Sequence, residues 1–285
     1  MTTEPDVVSR CAQILGPIEV TGDLAWPGNG NQVLEICDSD GRLWIAKALA
    51  DDSGYQRERD ALQRWAPALG DAAPALRGAD DRLRLLIMTR LPGQRAEGVP
   101  AETDPAAHRQ AGRLTRLLHD AEPARVDDGI LAATAIGLER SIEAGGHLLT
   151  GDEIAFARSQ VQPMAELGPV PTVPTHMDNQ PRNWVVDNAG VIRLIDFGRC
   201  RRDVWIRDMQ RLYFQQWEHR PDLRDAFYAG YGREPDATDA SLLRGYLAYQ
   251  GLSTVVWATR HGDPAFAAHG HRILAELLAG NWPVA

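Results

Sequence analysis

The spacing of the apolar residues changes once along this chain, near residue 91, and that change limits the fold more than any other feature. Before it the patterning belongs to strands. "GPIEVTGDLAW" turns through "PGNGNQ" into "VLEICDSDGRLWIAKAL", a hairpin pattern in which Asp40 and Gly41 form the turn, because Asp-Gly tolerates the positive φ of two-residue hairpins. After the charged run "YQRERD", Ala61, Leu62 and Trp65 recur at helical spacing and predict a helix over 54–67. A second strand pair is expected in "PALRGADDRLRLLIMTRL", with "GADD" as its turn. Beyond "LPGQ" apolar residues recur every three or four positions, at Leu114, Leu117 and Leu118 and again at Ile154, Val161 and Met164. This helical stretch is interrupted by two short β-rich runs, "NWVVD" and "VIRLIDF", joined by Asn188 to Gly190. From Asp203 onward helix is again expected, with Trp205, Met209, Leu212 and Tyr213 on one face. The reading is an α+β chain of two lobes, a small β-rich lobe over 1–91 and a larger, mainly helical one over 92–285.

Composition removes several classes of function. A length of 285 residues with 44% hydrophobic content excludes disorder as the main state. A formal net charge of -9 makes nucleic acid and anionic membrane poor partners. No run reaches the length of a membrane span, and "MTTEPDVVSR" has no apolar core of an export signal, so a cytoplasmic protein is expected, as monomer or homodimer. Cys11, Cys37 and Cys200 are widely spaced and odd in number, which suggests buried, reduced thiols rather than a disulfide framework or zinc site.

The segment "HMDNQPRNW", followed by "DFG", carries the chemistry. It sets Asp178, Asn183 and Asp196 around one β hairpin. Phosphoryl transfer needs a carboxylate to take the acceptor's hydroxyl proton and hard oxygen ligands for Mg²⁺, and the order and spacing fit that division of labour. In this composition the pattern HxDxxxxN arises by chance roughly 0.015 times per chain, so coincidence is a weak explanation.

"THMDNQPRNWVVD" with "VIRLIDFGR" resembles the catalytic loop and metal-binding Asp-Phe-Gly of the aminoglycoside phosphotransferase and choline kinase family, which shares the protein-kinase fold. The resemblance implies Asp178 as catalytic base and Asn183 and Asp196 as Mg²⁺ ligands. It also implies His176 as a structural histidine, Pro181 as the loop proline, and Asp208 as a buried brace of the loop. Met177 stands where the family has Gly, and Arg182 where it has a small residue; both departures alter loop shape. The fold also requires a cation on the third strand and a carboxylate on the next helix to hold it. Lys47 ends "RLWIAK", and Glu58 is the best placed partner, with Asp60 the alternative. Gly28, Asn29, Gly30 and Asn31 lie in the turn between the first two strands, where backbone N–H groups can approach phosphates; the two asparagines serve either that role or the turn's own geometry. "LIMTRLPG" resembles the family's hinge, whose main chain from Thr89 to Leu91 would pair with adenine.

On this reading the first lobe binds the nucleotide and the second holds catalysis and the acceptor. The chain lacks a long activation segment ending in Ala-Pro-Glu, which disfavours a protein substrate. The expectation is an ATP-dependent small-molecule kinase with Mg²⁺, acting on a hydroxyl of an aminoglycoside or related antibiotic. The alternatives are a kinase of a sugar, choline-like amine or other metabolite, and a nucleotide-binding regulator without catalysis.

Other residues carry two readings. Arg199, Arg201 and Arg202 meet an anion or form a solvated turn. Trp205, Trp217 and Trp257 are expected mainly in the core, and His119 in the core or as a cap. Asp127, Asp128, Asp152 and Glu153 bind a cationic acceptor or cap helices, Thr150 and Glu153 forming a capping box. Lys47 is the single lysine beside 29 arginines, and it falls on the strand position where a phosphate-binding cation is required.

Overall fold

Period-two patterning in the first ninety residues produces an antiparallel sheet whose faces have different tasks. The computed structural model describes residues 4–25 and 30–281. The order begins α1 (Glu4–Leu15), β1 (Ile18–Asp23), β2 (Gln32–Asp38), β3 (Leu43–Ala48), α2 (Asp52–Arg64), β4 (Leu76–Asp80) and β5 (Leu85–Thr89). These strands pair antiparallel in the order β1-β2-β3-β5-β4. Trp44, Ala46 and Ala48 on β3 enter a core with Leu34, Ile36, Leu85, Ile87 and the α1 residues Val7 and Cys11. Strand alternation sends Ile45 and Lys47 to the opposite face.

The residues before β1 carry no sequence expectation, yet they form α1. Its buried stripe is only Val7 and Cys11, one turn apart, too thin to stand out in the sequence. The turn falls at Asp40–Gly41 but is three residues long, 39–41, rather than two: Asp38 N–H donates to Arg42 O at 3.0 Å, Asp38 Oδ1 accepts the N–H groups of Asp40 and Arg42, both at 2.9 Å, and of the pair only Gly41 takes a positive φ, +79°. The next turn is displaced from "GADD" to residues 81–84. Asp80 Oδ1 accepts from Leu83 N–H at 3.0 Å, while Gly78 stays in β4, where a Cβ would come within 3.1 Å of Ile14. Helix α2 starts earlier than expected because Asp51 caps it, accepting from Gly54 N–H at 2.7 Å; beyond Arg64 the chain tightens into a 3₁₀ segment, Ala66–Ala72, containing Pro67.

The remaining elements are β6 (Gln94–Arg95), α3 (Pro105–His119), β7 (Arg125–Asp127), α4 (Ile130–Gly145), α5 (Gly151–Ala165), β8 (Val170–Thr175), β9 (Trp184–Val186), β10 (Ile192–Leu194), β11 (Arg201–Asp203), α6 (Gln210–Tyr213), α7 (Pro221–Tyr231), α8 (Ala237–Arg260) and α9 (Pro264–Leu278). The chain divides into two compact units. One comprises Met1–Glu122, His176–Arg201 and Asp225–Gly232, so the β9–β10 hairpin belongs with the five-stranded sheet. Here β6 pairs with β9, and α3 holds the far end of the hairpin: Gln110 donates to Gly190 O at 2.8 Å and accepts from Ile192 N–H at 3.1 Å.

The second unit comprises Pro123–Thr175, Arg202–Arg224 and Arg233–Ala285. Leu138, Ala157, Val161, Leu252, Val256 and Leu274, from α4, α5, α8 and α9, form a core there. Glycines permit the close helix approach; a Cβ on Gly270 would lie 2.7 Å from Gly251 O. Asp203 and Arg207 make a buried ion pair at 2.8 Å. Trp205 and Trp217 are buried as expected, whereas Trp257 is half exposed and stacks on His261, so it is not a core residue. No helix among the described residues is long and apolar enough to cross a membrane.

Candidate active site

The catalytic-loop candidate is organised by its own side chains. His176 is buried, hydrogen-bonded through Nε2 to Ile195 O at 3.0 Å, and packs on Phe197. That bond ties the loop to the strand leading into "DFG". Met177, at the family's glycine position, takes φ +66°, a conformation that costs a side-chain-bearing residue roughly 1–2 kcal/mol. Asp178 is buried at 4% exposure, and both its oxygens are engaged. Oδ1 accepts from Gln180 at 2.6 Å; Oδ2 accepts from Arg182 at 2.7 Å and Asn183 Nδ2 at 3.0 Å. The Asn183 amide also donates to Asp178 O at 2.8 Å, and Ile195 N–H donates to Asn183 O at 3.0 Å.

Asn179 has no counterpart among the expected site residues, yet it is the loop's anchor. Its Nδ2 donates to Thr115 on α3 at 2.8 Å, and its Oδ1 accepts the Trp184 indole N–H at 2.8 Å. The Thr115 hydroxyl in turn donates to Ala111 O at 2.8 Å. An asparagine inside the motif, directly after Asp178, was the available signal; its burial, which obliges the carboxamide to find partners, comes only from the fold.

Lys47, Glu58 and Asp196 converge. The Lys47 ammonium lies 2.7 Å from Glu58 Oε2, 3.0 Å from Glu58 Oε1 and 2.7 Å from Asp196 Oδ1. Glu58 is 1% exposed, whereas the side chain of Asp196 is 47% exposed and open to a further partner. Burial opposes the Lys47 charge, but the two carboxylates outweigh it and hold the ammonium above its ordinary value. Lys47 likewise draws Asp196 down to about 2. The alternative, Asp60, is exposed and pairs with Arg59 at 3.3 Å. Two features fasten α2 to "DFG" besides the ion pairs: Arg57 donates to Gly198 O at 3.1 Å, and Glu58 Oε2 would lie 3.2 Å from a Cβ on Gly198. Asp196 itself takes φ +65°, which turns its carboxylate onto the lysine.

Of the glycine-rich turn, Gly28 and Asn29 lie outside the described residues. Gly30 takes φ +73°. Asn31 Oδ1 accepts from Ala50 N–H at 2.8 Å, so its carboxamide joins the turn to the end of β3. In the hinge candidate, Thr89 N–H donates to Ala75 O at 3.0 Å and Arg90 N–H to Leu43 O at 3.2 Å. The Leu91 carbonyl accepts from Arg90 Nη1 at 2.6 Å. Among the arginines after "DFG", Arg202 is spent on the carbonyls of Pro123 and Thr172, at 2.7 and 2.8 Å. His119 pairs with the Tyr231 hydroxyl at 2.8 Å, Asp127 Oδ1 accepts from the N–H groups of Gly129 and Ile130 just before and at the start of α4, both at 2.8 Å, and Thr150 and Glu153 form the expected capping box. Asp208 is buried in the 3₁₀ segment Trp205–Met209.

Among the described residues no cluster of three or more His, Cys, Asp or Glu could hold a metal by itself. The donor set that exists suits Mg²⁺ in the presence of phosphates. Asp196 is a half-exposed carboxylate, and Asn183 spends its amide nitrogen on Asp178, which leaves its carbonyl oxygen as a hard donor.

The family model described as the phosphotransferase enzyme family matches residues 27–249. No curated protein matches the chain by sequence. Among solved structures, a thermostable mutant of aminoglycoside phosphotransferase APH(4)-Ia in its apo form superposes with a TM-score of 0.74 at 16% identity, covering 96% of this chain and 99% of that one. A ternary complex of that enzyme with AMP-PNP and hygromycin B gives 0.73 at 15% identity, covering 94% and 97%. The macrolide 2'-phosphotransferase MphH from Brachybacterium faecium gives 0.67 at 17%, covering 95% and 97%. A choline/ethanolamine kinase family protein from Mesorhizobium loti gives 0.67 at 18%, covering 95% and 90%. At such identities the likeness establishes the fold, a protein-kinase-like α+β architecture.

Proposed function

Because the chain belongs to the phosphotransferase enzyme family, we propose that it transfers the γ-phosphate of ATP to a hydroxyl of an aminoglycoside or related antibiotic in the cytoplasm, as a resistance or self-protection enzyme. The observation that carries the kinase reading is the triangle of Lys47, Glu58 and Asp196, with ammonium–carboxylate distances of 2.7 Å to each acid and only Glu58 fully buried. The half-exposed Asp196 leaves carboxylate surface for a further partner beside the ammonium.

In this reading Lys47 holds the α- and β-phosphates, Glu58 fixes its position, and the glycine-rich turn at Gly28, Asn29 and Gly30 covers the phosphates with backbone N–H groups. Asn31 supports that turn through Ala50. Since Thr89 and Arg90 N–H are spent on the sheet, the adenine edge pairs with the hinge from Leu91 onward. Mg²⁺, held by Asn183 and Asp196, would neutralise charge on the phosphates. Asp178 takes the acceptor's proton as its oxygen bonds to the γ-phosphorus and the bond from that phosphorus to the β,γ-bridging oxygen breaks, releasing ADP. Catalysis is positioning and electrostatics.

The likeness to a choline/ethanolamine kinase family protein supports a second reading, a metabolite acceptor such as a sugar or choline-like amine. A transfer screen with ATP and Mg²⁺ over antibiotic and metabolite panels, with mass spectrometry of products, separates them. A phosphorylated antibiotic supports the first reading; phosphorylation confined to a metabolite replaces it with the second.

A further inference from the structure

The donors around Asp178 differ in one respect that bears on catalysis. Gln180 and Asn183 are 5% exposed and belong to the loop interior, while the Arg182 side chain is 40% exposed. Arg182 reaches Oδ2 from the solvent side, and its contact is a charge-assisted bond of 2.7 Å. Each carboxylate oxygen has two lone pairs, and Oδ2 accepts two bonds, from Arg182 and Asn183, so an acceptor hydroxyl that gives its proton to this oxygen needs one of those donors to leave. The Asn183 bond to Oδ2 is anchored by a second bond of the same amide to Asp178 O. The guanidinium is the donor with room to leave. Its long side chain can swing into water, where it remains fully charged and solvated.

We propose that Arg182 is a gate on the catalytic base: it occupies Asp178 Oδ2 until a bound acceptor displaces it, and so keeps water from serving as the acceptor. This inference rests on the kinase reading above. The reaction it suppresses is hydrolysis: a water oxygen bonds to the γ-phosphorus, the bond to the β,γ-bridging oxygen breaks, and the water's proton passes to Asp178, giving ADP and phosphate. A single water has no binding energy from remote contacts with which to displace an ion pair, whereas an acceptor held elsewhere has. Arg182 is thus a positioning residue, acting through Asp178.

The test needs no knowledge of the acceptor. ATP hydrolysis is measured with Mg²⁺ and no added acceptor for the unmodified protein, Arg182→Ala, Arg182→Lys and the double variant Arg182→Ala/Asp178→Asn, with ATP affinity measured in parallel by calorimetry. The gate predicts that Arg182→Ala raises the turnover of hydrolysis about tenfold at unchanged ATP affinity, that Arg182→Lys restores most of the suppression, and that the added Asp178→Asn change removes the gain. If Arg182 only stabilises the loop, Arg182→Ala hydrolyses ATP at the same or a lower rate, and the proposal is overturned while the kinase reading stands. If the unmodified protein binds no ATP, the kinase reading fails and the gate falls with it.

Discussion

Lys47 is the one lysine among 30 basic side chains, and its surroundings give a reason for the exception. The site is built for a compact charge: two carboxylates approach one ammonium nitrogen at 2.7 Å from different elements, one of them at 1% exposure. A planar, forked guanidinium spreads its donors over a wider area and does not fit between them. Lys47→Arg is therefore expected to lower kcat/KM for ATP about 100-fold, largely through KM, in steady-state assays; near-normal kinetics would reduce the lone lysine to compositional chance. Asp178→Asn keeps the size and one of the two accepting oxygens but removes the carboxylate that would take the proton. It is expected to bind MgATP within about twofold of the unmodified protein while losing about 10²- to 10⁴-fold in transfer, read by calorimetry and a coupled assay. The motif makes Asp178, Asn183 and Asp196 stand out in the sequence, because their spacing is chemically unusual. Asn31 was legible only as one of two alternatives, and in the structure its Oδ1 accepts from Ala50 N–H.

Helix α3 shows what a single element contributes to a site it does not enter. Thr115 receives Asn179 from the loop, Asn179 receives Trp184 from β9, and Gln110 clamps the far end of the β9–β10 hairpin. The loop is thereby fixed at both its start and its exit. Asn179→Ala leaves the fully buried Trp184 indole N–H without its partner, at a cost of about 1–3 kcal/mol. A drop in Tm of several degrees in calorimetry is the expected outcome; an unchanged Tm would show that the bracket carries no stability. The hairpin itself was readable from "NWVVD" and "VIRLIDF", because its turn uses local chemistry: Asp187 Oδ1 accepts from Ala189 and Val191 N–H, and Gly190 supplies φ +76°. The "GADD" turn was misplaced because Gly78 is demanded by the approach of Ile14 from α1, a helix whose own stripe was too thin to predict.

Over the whole molecule, the behaviour in acid follows from how the acids are partnered. Asp38 is lowered chiefly by the Trp44 indole, Glu139 by Arg158, Asp187 by the Val191 N–H and then Arg193, and Asp222 by Arg220. Each folded-state value lies below the ordinary 3.8 for Asp or 4.5 for Glu. Their contribution is therefore complete above those values and is lost as pH falls through the lowered ones. Tm should hold steady in the neutral range and decline below about pH 4.5, which a pH series of thermal melts will test; stability that rises in acid would contradict the sign. The thiols report on packing in the same global sense. Burial pushes Cys11 up to about 11, whereas Cys37 is only partly buried, so a maleimide at pH 8 should modify Cys37 well before Cys11, and unfolding should remove the difference.

By itself the sequence determined the class of fold and the chemistry, since hydrophobic period and motif spacing are local properties written in consecutive residues. It also identified Lys47 and two candidate carboxylates on the helix after it. Only the tertiary structure chose Glu58 over Asp60 and joined Lys47 to Asp196 across 149 positions of chain. The same holds for Asn179 on Thr115, Arg202 on backbone carbonyls and Arg182 on Asp178. The physical reason is that a period specifies which face a side chain occupies, whereas its partner depends on which other segment is packed within a few ångströms of that face.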